Sequence, residues 1–166
     1  MSSDKAKVCH EFPPVFDEHS KVLILGTIPS PKSRERGFYY MHPQNRFWRM
    51  LCEVLGEPLP HDIEGRKQLC LRRNIALWDV LESCEISGAS DATISSPIPN
   101  DLRRITSTAS IKIIFTTGKT AHRYYEKFFS GLNISEICLP STSPANRTIS
   151  EADMLTQYRQ IAEYLK

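Results

Sequence analysis

Short apolar runs that alternate with helical stretches constrain this chain more than any other feature. Four runs read as buried strands, at about residues 21–27, 75–80, 111–116 and 134–139. Each run is mostly apolar, which is typical of strands covered on both faces of a parallel sheet. Because helical segments lie between the runs, the pattern predicts a three-layer α/β/α sandwich with a central four-stranded parallel sheet.

The intervening segments carry start and stop signals for helices. Pro43 is well placed as the first residue of a helix that Gly56 ends. Asp62 is a candidate cap for a second helix that runs to about Arg73. Further helices are expected from Pro99 or Asn100 to about Ala109, over residues 119–129, and from Ser150, whose spacing to Asp153 resembles a capping box.

Chain length and local composition predict one domain with a short preceding segment. The 166 residues divide into a lead-in, residues 1–20, and a single domain, residues 21–166. Residues 84–99 contain Ser, Gly and Pro and are predicted to form a loop. No apolar run approaches the roughly 18 residues of a membrane span, and the N-terminus lacks a signal-peptide core. We expect a cytoplasmic, nucleoid-associated protein, or a nuclear one if the source is a eukaryote.

Charge and cysteine content exclude some classes of protein. The formal net charge of +2 is too small to indicate nucleic-acid binding by itself, so any such binding needs a local basic patch. The five cysteines contain no CxxC pair, which disfavours a zinc or iron–sulfur site. We therefore expect reduced thiols that pack as small apolar groups, no metal and no cofactor.

The predicted topology places a binding site at one edge of the sheet. In open α/β sheets, ligands bind beyond the carboxyl ends of the strands. The segments at those ends are residues 26–30, Asp79, residues 117–119 and residues 141–147. These segments collect polar, glycine and proline residues, so four parts of the chain are expected to share one rim.

The same segments resemble a known family. The motifs GTIPS (26–30), KSRERGFYY (32–40), HPQNRFW (42–48) and LPSTSPAN (139–146) are similar to those of the uracil-DNA glycosylase superfamily. They look closest to its sixth family, the hypoxanthine-DNA (deoxyinosine) glycosylases, and the resemblance covers roughly residues 20–165. It implies a uracil-DNA glycosylase-like fold and a base-excision-repair enzyme. Such an enzyme flips a deaminated base out of DNA and hydrolyses its N-glycosidic bond with water, without nicking the strand. We expect this chain to be a monomer.

Two positions depart from the usual pattern of that superfamily. Most members carry Asp or Asn at the third position of the first motif, where this chain has Ile28, and the best-known branch has His where this chain has Leu139. In the hypoxanthine family the catalytic role belongs to the Asn of HPQNRFW, which is Asn45 here. An amide can orient a water through its carbonyl and donate from its NH2 to a purine ring nitrogen. The alternative is a polar residue in a first helical turn that bonds nearby backbone.

The resemblance also implies a base pocket. Tyr40 corresponds to the aromatic that stacks on the flipped base, although one of Phe38, Tyr39 and Tyr40 must belong to the core. His42 either donates to the base or a phosphate, or caps the helix. Asp79 either reads the base edge or, as we expect more often of an acid at a strand end, holds a loop. The rest of the predicted pocket is the first motif: Gly26, Thr27, Ile28 and Pro29.

Several polar residues are candidates for contacts with the DNA backbone. The second rim loop could clamp phosphates, with Pro144-Ala145 as a wedge in the gap left by the flipped base, or it could be a turn without a role. Gly118-Lys119-Thr120 lacks the spacing of a P-loop, so we interpret it as a helix start where Thr116, Thr117 and Lys119 face a phosphate, or as a solvated turn. Arg103 and Arg104 are expected on a solvated helix face. The candidates are Ser30, Lys32, Ser33, Arg34, Arg36, Thr117, Lys119, Ser141, Thr142, Ser143, Pro144, Asn146 and Arg147.

Two other functions stay open at this point. One is a uracil or mixed-specificity mismatch glycosylase of the same fold. The other is a catalytically silent protein that binds DNA lesions, which the loss of both usual polar groups at Ile28 and Leu139 would explain. The relative rates of uracil and hypoxanthine release distinguish the first alternative from a hypoxanthine glycosylase. Lesion binding without turnover identifies the second.

Overall fold

A computed structural model describes residues 5–166, which form two sheets and six helices. The strands are β1 (Ala6–Cys9), β2 (Val22–Gly26), β3 (Ile75–Asp79), β4 (Leu81–Ser87), β5 (Ser90–Pro99), β6 (Ile113–Thr117) and β7 (Glu136–Leu139). The helices are α1 (Pro31–Arg36), α2 (Phe47–Leu55), α3 (Ile63–Arg72), α4 (Arg103–Thr106), α5 (Lys119–Phe129) and α6 (Glu151–Glu163).

The central sheet is parallel and has the order β3-β2-β6-β7, which confirms the predicted four strands. Every residue of β2, β3 and β6 is buried, as expected for strands with helices on both faces. From β2 the chain passes to β3, its neighbour on one side in the sheet, and the next strand of this sheet, β6, lies on the opposite side of β2. Since parallel crossovers are right-handed, this reversal puts helices on both faces and opens a crevice between the ends of β2 and β6.

The second sheet corrects one prediction. Residues 84–99, predicted as a loop, form most of the antiparallel strands β4 and β5 and the turn between them, and these strands form a three-stranded sheet with β1. Composition is misleading here because Ser, Gly and Pro are frequent in the segment. The pairing of β4 with β5 contains register shifts, and Ser96 has a positive φ of 50°, so this irregular hairpin accommodates residues that usually disrupt strands.

The segment between β2 and α2 also differs from the prediction. Helix α1 has no counterpart among the predicted elements; Ser30 caps it by accepting from the Ser33 backbone N–H, Pro31 begins it, and Gly37 ends it with φ 71°. The helix predicted to begin at Pro43 begins at Phe47 instead. Residues 42–46 form a tight turn, because local hydrogen bonds to the backbone compete with the helix there.

The remaining boundaries follow the expected order. Asp62 caps α3 and Ser150 caps α6, each through a side-chain oxygen that accepts from a backbone N–H in the first turn. The helix expected up to about Ala109 is shorter, since α4 covers only Arg103–Thr106. Both of its arginines are exposed, as expected.

The segment that the sequence places in a lead-in packs on the domain. Residues 1–4 of that segment lie outside the described residues, and Ala6–Cys9 form β1. Val15 then exchanges two backbone hydrogen bonds with Leu77 at 2.9 and 3.0 Å, which covers the outer edge of β3. Between these contacts, His10 reaches Asp79 at the carboxyl end of β3.

Within residues 5–166, no helix combines the length and the apolar character that crossing a bilayer requires. The same part of the chain contains no group of three or more His, Cys, Asp or Glu side chains arranged to hold a metal ion.

Candidate active site

A cavity of about 290 Å³ opens at the carboxyl ends of β2, β3 and β6. Its volume is close to the lower end of pockets that hold small molecules, about 300–1,000 Å³. The four predicted rim segments contribute to its wall, together with the segment 33–45 and with the β4–β5 hairpin, which the sequence did not indicate. The lining residues are Gly26, Thr27, Ile28, Pro29, Ser30, Ser33, Tyr39, Tyr40, His42, Asn45, Asp79, Ile86, Gly88, Ala89, Asp91, Thr117, Ser141, Thr142, Ser143, Pro144 and Ala145.

Gly26 allows two functional groups to approach the end of β2. A Cβ atom at this position would lie 2.5 Å from Asp79 Oδ1 and 3.2 Å from the Tyr40 hydroxyl. The first distance is far inside van der Waals contact, so any side chain would displace the carboxylate. The glycine of the first motif is therefore required by the close packing of Asp79 and Tyr40 over the backbone.

Tyr40 is held firmly in an unusual backbone conformation. Its φ of 54° lies in the left-handed region that non-glycine residues rarely adopt. Its ring stacks on Phe47 with centroids 3.8 Å apart, and its hydroxyl hydrogen-bonds the Thr117 hydroxyl at 3.0 Å. Burial, reinforced by the Asp79 charge, raises the pKa of Tyr40 well above its usual value, so the phenol stays protonated. Phe47 covers one face of the ring, while Tyr40 still lines the cavity.

The amide of Asn45 has a defined orientation. Its Oδ1 accepts from the Phe47 backbone N–H at 2.9 Å, which identifies the oxygen because an N–H donor requires an acceptor. The local backbone contact considered as the alternative therefore exists, but it uses only the carbonyl. Among the described residues, Nδ2 has no hydrogen-bond partner, and Asn45 lines the cavity. The backbone contact thus leaves the NH2 group available as a donor.

Arg46 joins this turn to the second rim loop. Its backbone N–H donates to the Thr142 carbonyl at 3.1 Å, and its Nη2 donates to the Asn146 carbonyl at 2.9 Å. The sequence pattern does not distinguish this arginine from its neighbours. The two bonds tie the turn that carries Asn45 to the loop 141–147, and both segments line the cavity.

The Asp79 carboxylate accepts no hydrogen bond from the backbone of the loop that follows β3. This corrects our expectation that an acid at a strand end holds the loop. Its Oδ2 lies 2.8 Å from His10 Nε2, and both side chains are buried, with 6% and 2% of their surfaces exposed. The loop is held by Asn100 instead, whose Nδ2 donates to the backbone carbonyls of Asp79 and Leu81. Only the other Asp79 oxygen, Oδ1, makes no hydrogen bond among the described residues.

The β4–β5 hairpin supplies a wall that sequence reasoning missed. Ile86, Gly88, Ala89 and Asp91 line the cavity, and Gly88 makes the turn with φ 59°. Burial raises the pKa of Asp91 above its ordinary value, while the Thr27 hydroxyl opposes the rise. The Ser-Gly dipeptide at the tip of the hairpin was the available signal for a turn between two strands.

The structure brings most of the predicted site residues together at this cavity. Every residue proposed for catalysis and for the base pocket lines it. So do the majority of the residues proposed to contact DNA, namely Ser30, Ser33, Thr117, Ser141, Thr142, Ser143 and Pro144. The predicted rim is therefore a single continuous wall, built from segments that are distant in sequence.

Other DNA-binding candidates lie away from the cavity wall. Lys119 and Arg147 are exposed, and Lys32 pairs with Glu35 at 3.2 Å. Asn146 is engaged inside its own loop, where Nδ2 donates to the Ser141 carbonyl at 2.9 Å. The lysines and Arg147 can still meet a phosphate outside the cavity, whereas the Asn146 amide serves to shape the loop.

Some of the polar candidates are too buried to meet a phosphate at the surface. Thr116 is fully buried and its hydroxyl donates to Glu136 at 2.5 Å, so the prediction that it faces a phosphate is wrong. Ser33 is 2% exposed, and its hydroxyl accepts from the Met41 backbone N–H at 3.1 Å. Thr142 is 1% exposed. For Ser33 and Thr142, these positions favour a role in shaping the loops.

His42 makes a local contact near the start of α2, as expected if it caps that helix. Its Nδ1 accepts from the Gln44 backbone N–H at 3.1 Å, which stabilises the turn before α2. The ring also lines the cavity, so a second role for its other nitrogen stays a prediction.

The cavity combines a planar aromatic surface, an amide donor and a buried carboxylate. Ile28 lines the cavity, and Leu139 is 1% exposed. Neither residue supplies the polar group that most members of the superfamily, or its best-known branch, have at that position. No lysine is among the lining residues within the described part of the chain. The arrangement suits a flat heteroaromatic ring that stacks on Tyr40 and makes hydrogen bonds along its edge.

Comparisons with known proteins agree with this geometry. A profile of the uracil DNA glycosylase superfamily matches residues 13–166. A hypoxanthine DNA glycosylase of Methanosarcina acetivorans is 34% identical over 142 residues, which cover 84% of this chain and 89% of that protein. Its counterpart in Methanosarcina barkeri is 34% identical over 138 residues, with coverages of 82% and 87%. The solution NMR structure of a provisionally assigned uracil DNA glycosylase from M. acetivorans superposes with a TM-score of 0.75, at 30% identity, over 91% of this chain and 96% of that one.

Proposed function

The chain belongs to the uracil DNA glycosylase superfamily, and from that premise we propose that it is a monofunctional DNA glycosylase that removes hypoxanthine, the base produced by deamination of adenine. The observation that carries the proposal is the cavity in which Asn45, Tyr40 and the 141–145 loop meet. The names of the relatives, hypoxanthine DNA glycosylase, support the choice of base.

Base flipping is the first step, because the glycosidic bond of a paired base is out of reach inside a duplex. The extruded purine stacks on the ring of Tyr40, which the hydroxyl bond to Thr117 and the contact with Phe47 keep in place. Stacking of this kind contributes about 1–3 kcal/mol per base.

Bond cleavage then produces a sugar cation and a base anion. The free NH2 of Asn45 donates to a ring nitrogen of the departing purine and stabilises the charge that develops there. A water adds its oxygen to the sugar cation and gives up a proton, which neutralises the base anion. Because the cation is strongly electrophilic, the water needs little prior deprotonation. Because the described cavity wall contains no lysine, it offers no such amine for a covalent intermediate, in keeping with hydrolysis and an intact strand.

Exposed cations near the cavity would hold the DNA backbone. Arg36, Lys119 and Arg147 are exposed on segments that lead to or from the rim. Their attraction to phosphates gives binding that weakens as salt concentration rises. Pro144 and Ala145, at the edge of the cavity, are our candidates for the wedge.

The experiment compares base release from duplexes that contain deoxyinosine, deoxyuridine or deoxyxanthosine. Abasic sites are revealed by alkali, and a parallel sample without alkali tests for strand nicking. We expect the wild type to release hypoxanthine, and Asn45→Ala to lower the single-turnover rate by about 100- to 1,000-fold, the usual cost of removing one transition-state donor.

Asn133→Ala is the matched control, since it makes the same chemical change at an exposed position in the segment after α5. The proposal fails if the wild type releases no base, or if Asn45→Ala keeps the wild-type rate. Faster release of uracil than of hypoxanthine would instead identify a uracil or mixed-specificity glycosylase, the second candidate that the superfamily match allows.

We further propose that the enzyme works as a monomer in the compartment that holds the DNA. The support is that one chain supplies the whole described wall of the cavity. Size-exclusion chromatography with light scattering tests the first part, and a dimer at assay concentrations would contradict it.

A further inference from the structure

Hydrolysis at this cavity calls for a group that accepts a proton from the attacking water. Ile28, at the third position of the first motif, is apolar, and the Asn45 carbonyl already accepts from the Phe47 backbone N–H at 2.9 Å. An amide is also not titratable, so it cannot take up the proton. Any acceptor that the protein supplies therefore comes from another part of the cavity wall.

Two carboxylates line the cavity, and they lie at different depths. Asp79 is 4% exposed and packs over Gly26 at the end of β2. Asp91 is half-buried and belongs to the β4–β5 hairpin, whose lining residues run from the buried Ile86 to the exposed Ala89. Asp91 is therefore closer to the mouth of the cavity than Asp79 is.

This difference in depth matches the two parts of a flipped nucleotide. An extruded nucleotide enters a pocket with its base first, because its sugar stays attached to the DNA backbone. The base then stacks on Tyr40, and C1′ of the sugar lies toward the mouth. The attacking water has to reach C1′, so the hairpin carboxylate is on the side where the water arrives.

The surroundings of Asp91 suit a proton acceptor. Burial and, to a smaller extent, the charge of Asp79 raise the pKa of Asp91 above its ordinary value. The Thr27 hydroxyl and the positive charge of Arg123, on α5, act in the opposite direction and favour the ionised form. A carboxylate with a raised pKa is a stronger base, and bases whose pKa lies nearer to the working pH are the more effective catalysts.

We propose that Asp91 is the catalytic residue that orients and deprotonates the attacking water. As the water oxygen bonds to C1′, one of its O–H bonds breaks, the electron pair stays on that oxygen, and the proton passes to the Asp91 carboxylate. The electron pair of the glycosidic bond leaves with the base. The proton subsequently neutralises the base anion, so water has been added across the bond and Asp91 is ionised again.

The charge of the carboxylate has a second effect, because an anion near C1′ stabilises the sugar cation. The inference rests on the proposed function. It gives the β4–β5 hairpin, which carries none of the family motifs, a part in catalysis.

The test measures single-turnover release of hypoxanthine from a deoxyinosine duplex over a range of enzyme concentrations. The maximal rate reports the chemical step, and the half-saturating concentration reports DNA binding. Asp91→Asn keeps the shape of the side chain and removes the base, so we expect the maximal rate to fall by about 100-fold, within the usual range for general-base catalysis. The half-saturating concentration should stay the same or decrease, because the change removes a negative charge near DNA phosphates.

The pH dependence of this loss distinguishes catalysis from a structural role. Below its pKa, Asp91 is protonated and cannot accept a proton, so the wild type should come to resemble Asp91→Asn. The ratio of the wild-type rate to the Asp91→Asn rate should therefore shrink as the pH falls toward about 4, near the ordinary pKa of Asp. Asp79, His42, Arg123 and the two lining tyrosines are present in both proteins, so their own titrations largely cancel in the ratio.

Asp153→Asn is the matched control, since it makes the same chemical change at an exposed position of α6, and its rate should equal that of the wild type. Asp91→Ala removes the acceptor completely and should lose at least as much rate as Asp91→Asn. Thermal unfolding of each variant verifies that it is folded at the assay temperature.

A wild-type rate in Asp91→Asn would overturn the proposal. So would a ratio that does not change with pH, or a defect confined to the half-saturating concentration, because either result would show that Asp91 only shapes the hairpin or contacts DNA. Failure of the proposed function looks different, because the wild type would then release no hypoxanthine at any pH.

Discussion

Asp79 and Glu136 each bind a histidine, but their second oxygens have different surroundings. Glu136 uses its carboxylate within the protein: the Thr116 hydroxyl donates to Oε2, and His122 Nδ1 contacts both oxygens at 2.8 and 2.9 Å. Asp79 bonds His10 through Oδ2 and directs Oδ1 toward Gly26 at the cavity wall. A carboxylate whose oxygens are both satisfied stabilises the fold, whereas one with a free oxygen in a cavity is available to a ligand.

Gly26→Ala should disturb the Asp79 carboxylate most severely. The new methyl group would stand 2.5 Å from Oδ1 and 3.2 Å from the Tyr40 hydroxyl, so the carboxylate has to move. We expect the rate of hypoxanthine release to fall by at least about 100-fold, the scale on which a displaced active-site group affects catalysis.

Gly131→Ala provides the control for that variant, because a Cβ there meets nothing within 4 Å. Its rate should equal that of the wild type. If Gly26→Ala were also fully active, the position of Asp79 over the backbone would have no importance for catalysis.

Glu136→Gln should affect the other carboxylate in the opposite way. The Gln side chain has one oxygen in place of two, so it cannot accept hydrogen bonds from both Thr116 and His122 as the carboxylate does. The buried Thr116 hydroxyl therefore loses a charged acceptor. We expect a loss of about 1–3 kcal/mol in the free energy of unfolding, with glycosylase activity per folded molecule within about twofold of wild type. Urea unfolding and the deoxyinosine assay measure the two quantities. A large loss of activity without a loss of stability would show that the two carboxylates do not differ as we describe.

Tyr40→Phe separates the two contributions of the tyrosine beside Asp79. It removes the hydroxyl that bonds Thr117 at 3.0 Å but keeps the ring that stacks on Phe47. We expect a stability loss of about 0.5–1.5 kcal/mol and a fall in rate of less than about tenfold, since the stacking surface remains. Tyr164→Phe, at a 39% exposed tyrosine near the C-terminus, is the control. A rate loss as large as that of Asn45→Ala would mean that the hydroxyl itself takes part in the reaction.

Sequence alone was sufficient for the parallel sheet and for most of the cavity wall. Mostly apolar runs identified β2, β3, β6 and β7, and the rule that ligands bind beyond their carboxyl ends brought Gly26, Asp79 and Thr117 to one place. Local patterns and a general topology suffice for both inferences, since neither depends on which distant side chains touch.

The parts that sequence did not reveal depend on distant contacts. His10 meets Asp79 across 69 positions of the chain, and Arg46 meets Asn146 across 100. The β4–β5 hairpin is stabilised by its own pairing and by β1, while its Ser, Gly and Pro content favours a loop. The tight turn before α2 resembles a helix start in sequence, because Pro43 suits both structures.

The smallest effect that we expect is a pH-dependent contribution of the His122–Glu136 contact to the stability of the fold. The hydrogen bond to Glu136 holds the pKa of His122 above its usual value, so the folded protein binds this proton more tightly than the unfolded chain does. The resulting stabilisation is fully present below the unfolded pKa of about 6.5 and is lost as pH rises through the higher folded pKa.

His122→Gln removes this titration, so its melting temperature should lie furthest below that of the wild type at acidic pH. Because the side chain of His122 is 35% exposed, solvent screens the interaction, and we expect a gap of about 1–3 °C at a pH of about 5.5 that narrows by a pH of about 8.5. His19→Gln, with 71% of its side chain exposed, should give a gap close to zero throughout. A His122→Gln gap that stays constant or widens with rising pH would contradict the assignment, because the proton would then not be bound more tightly in the folded state.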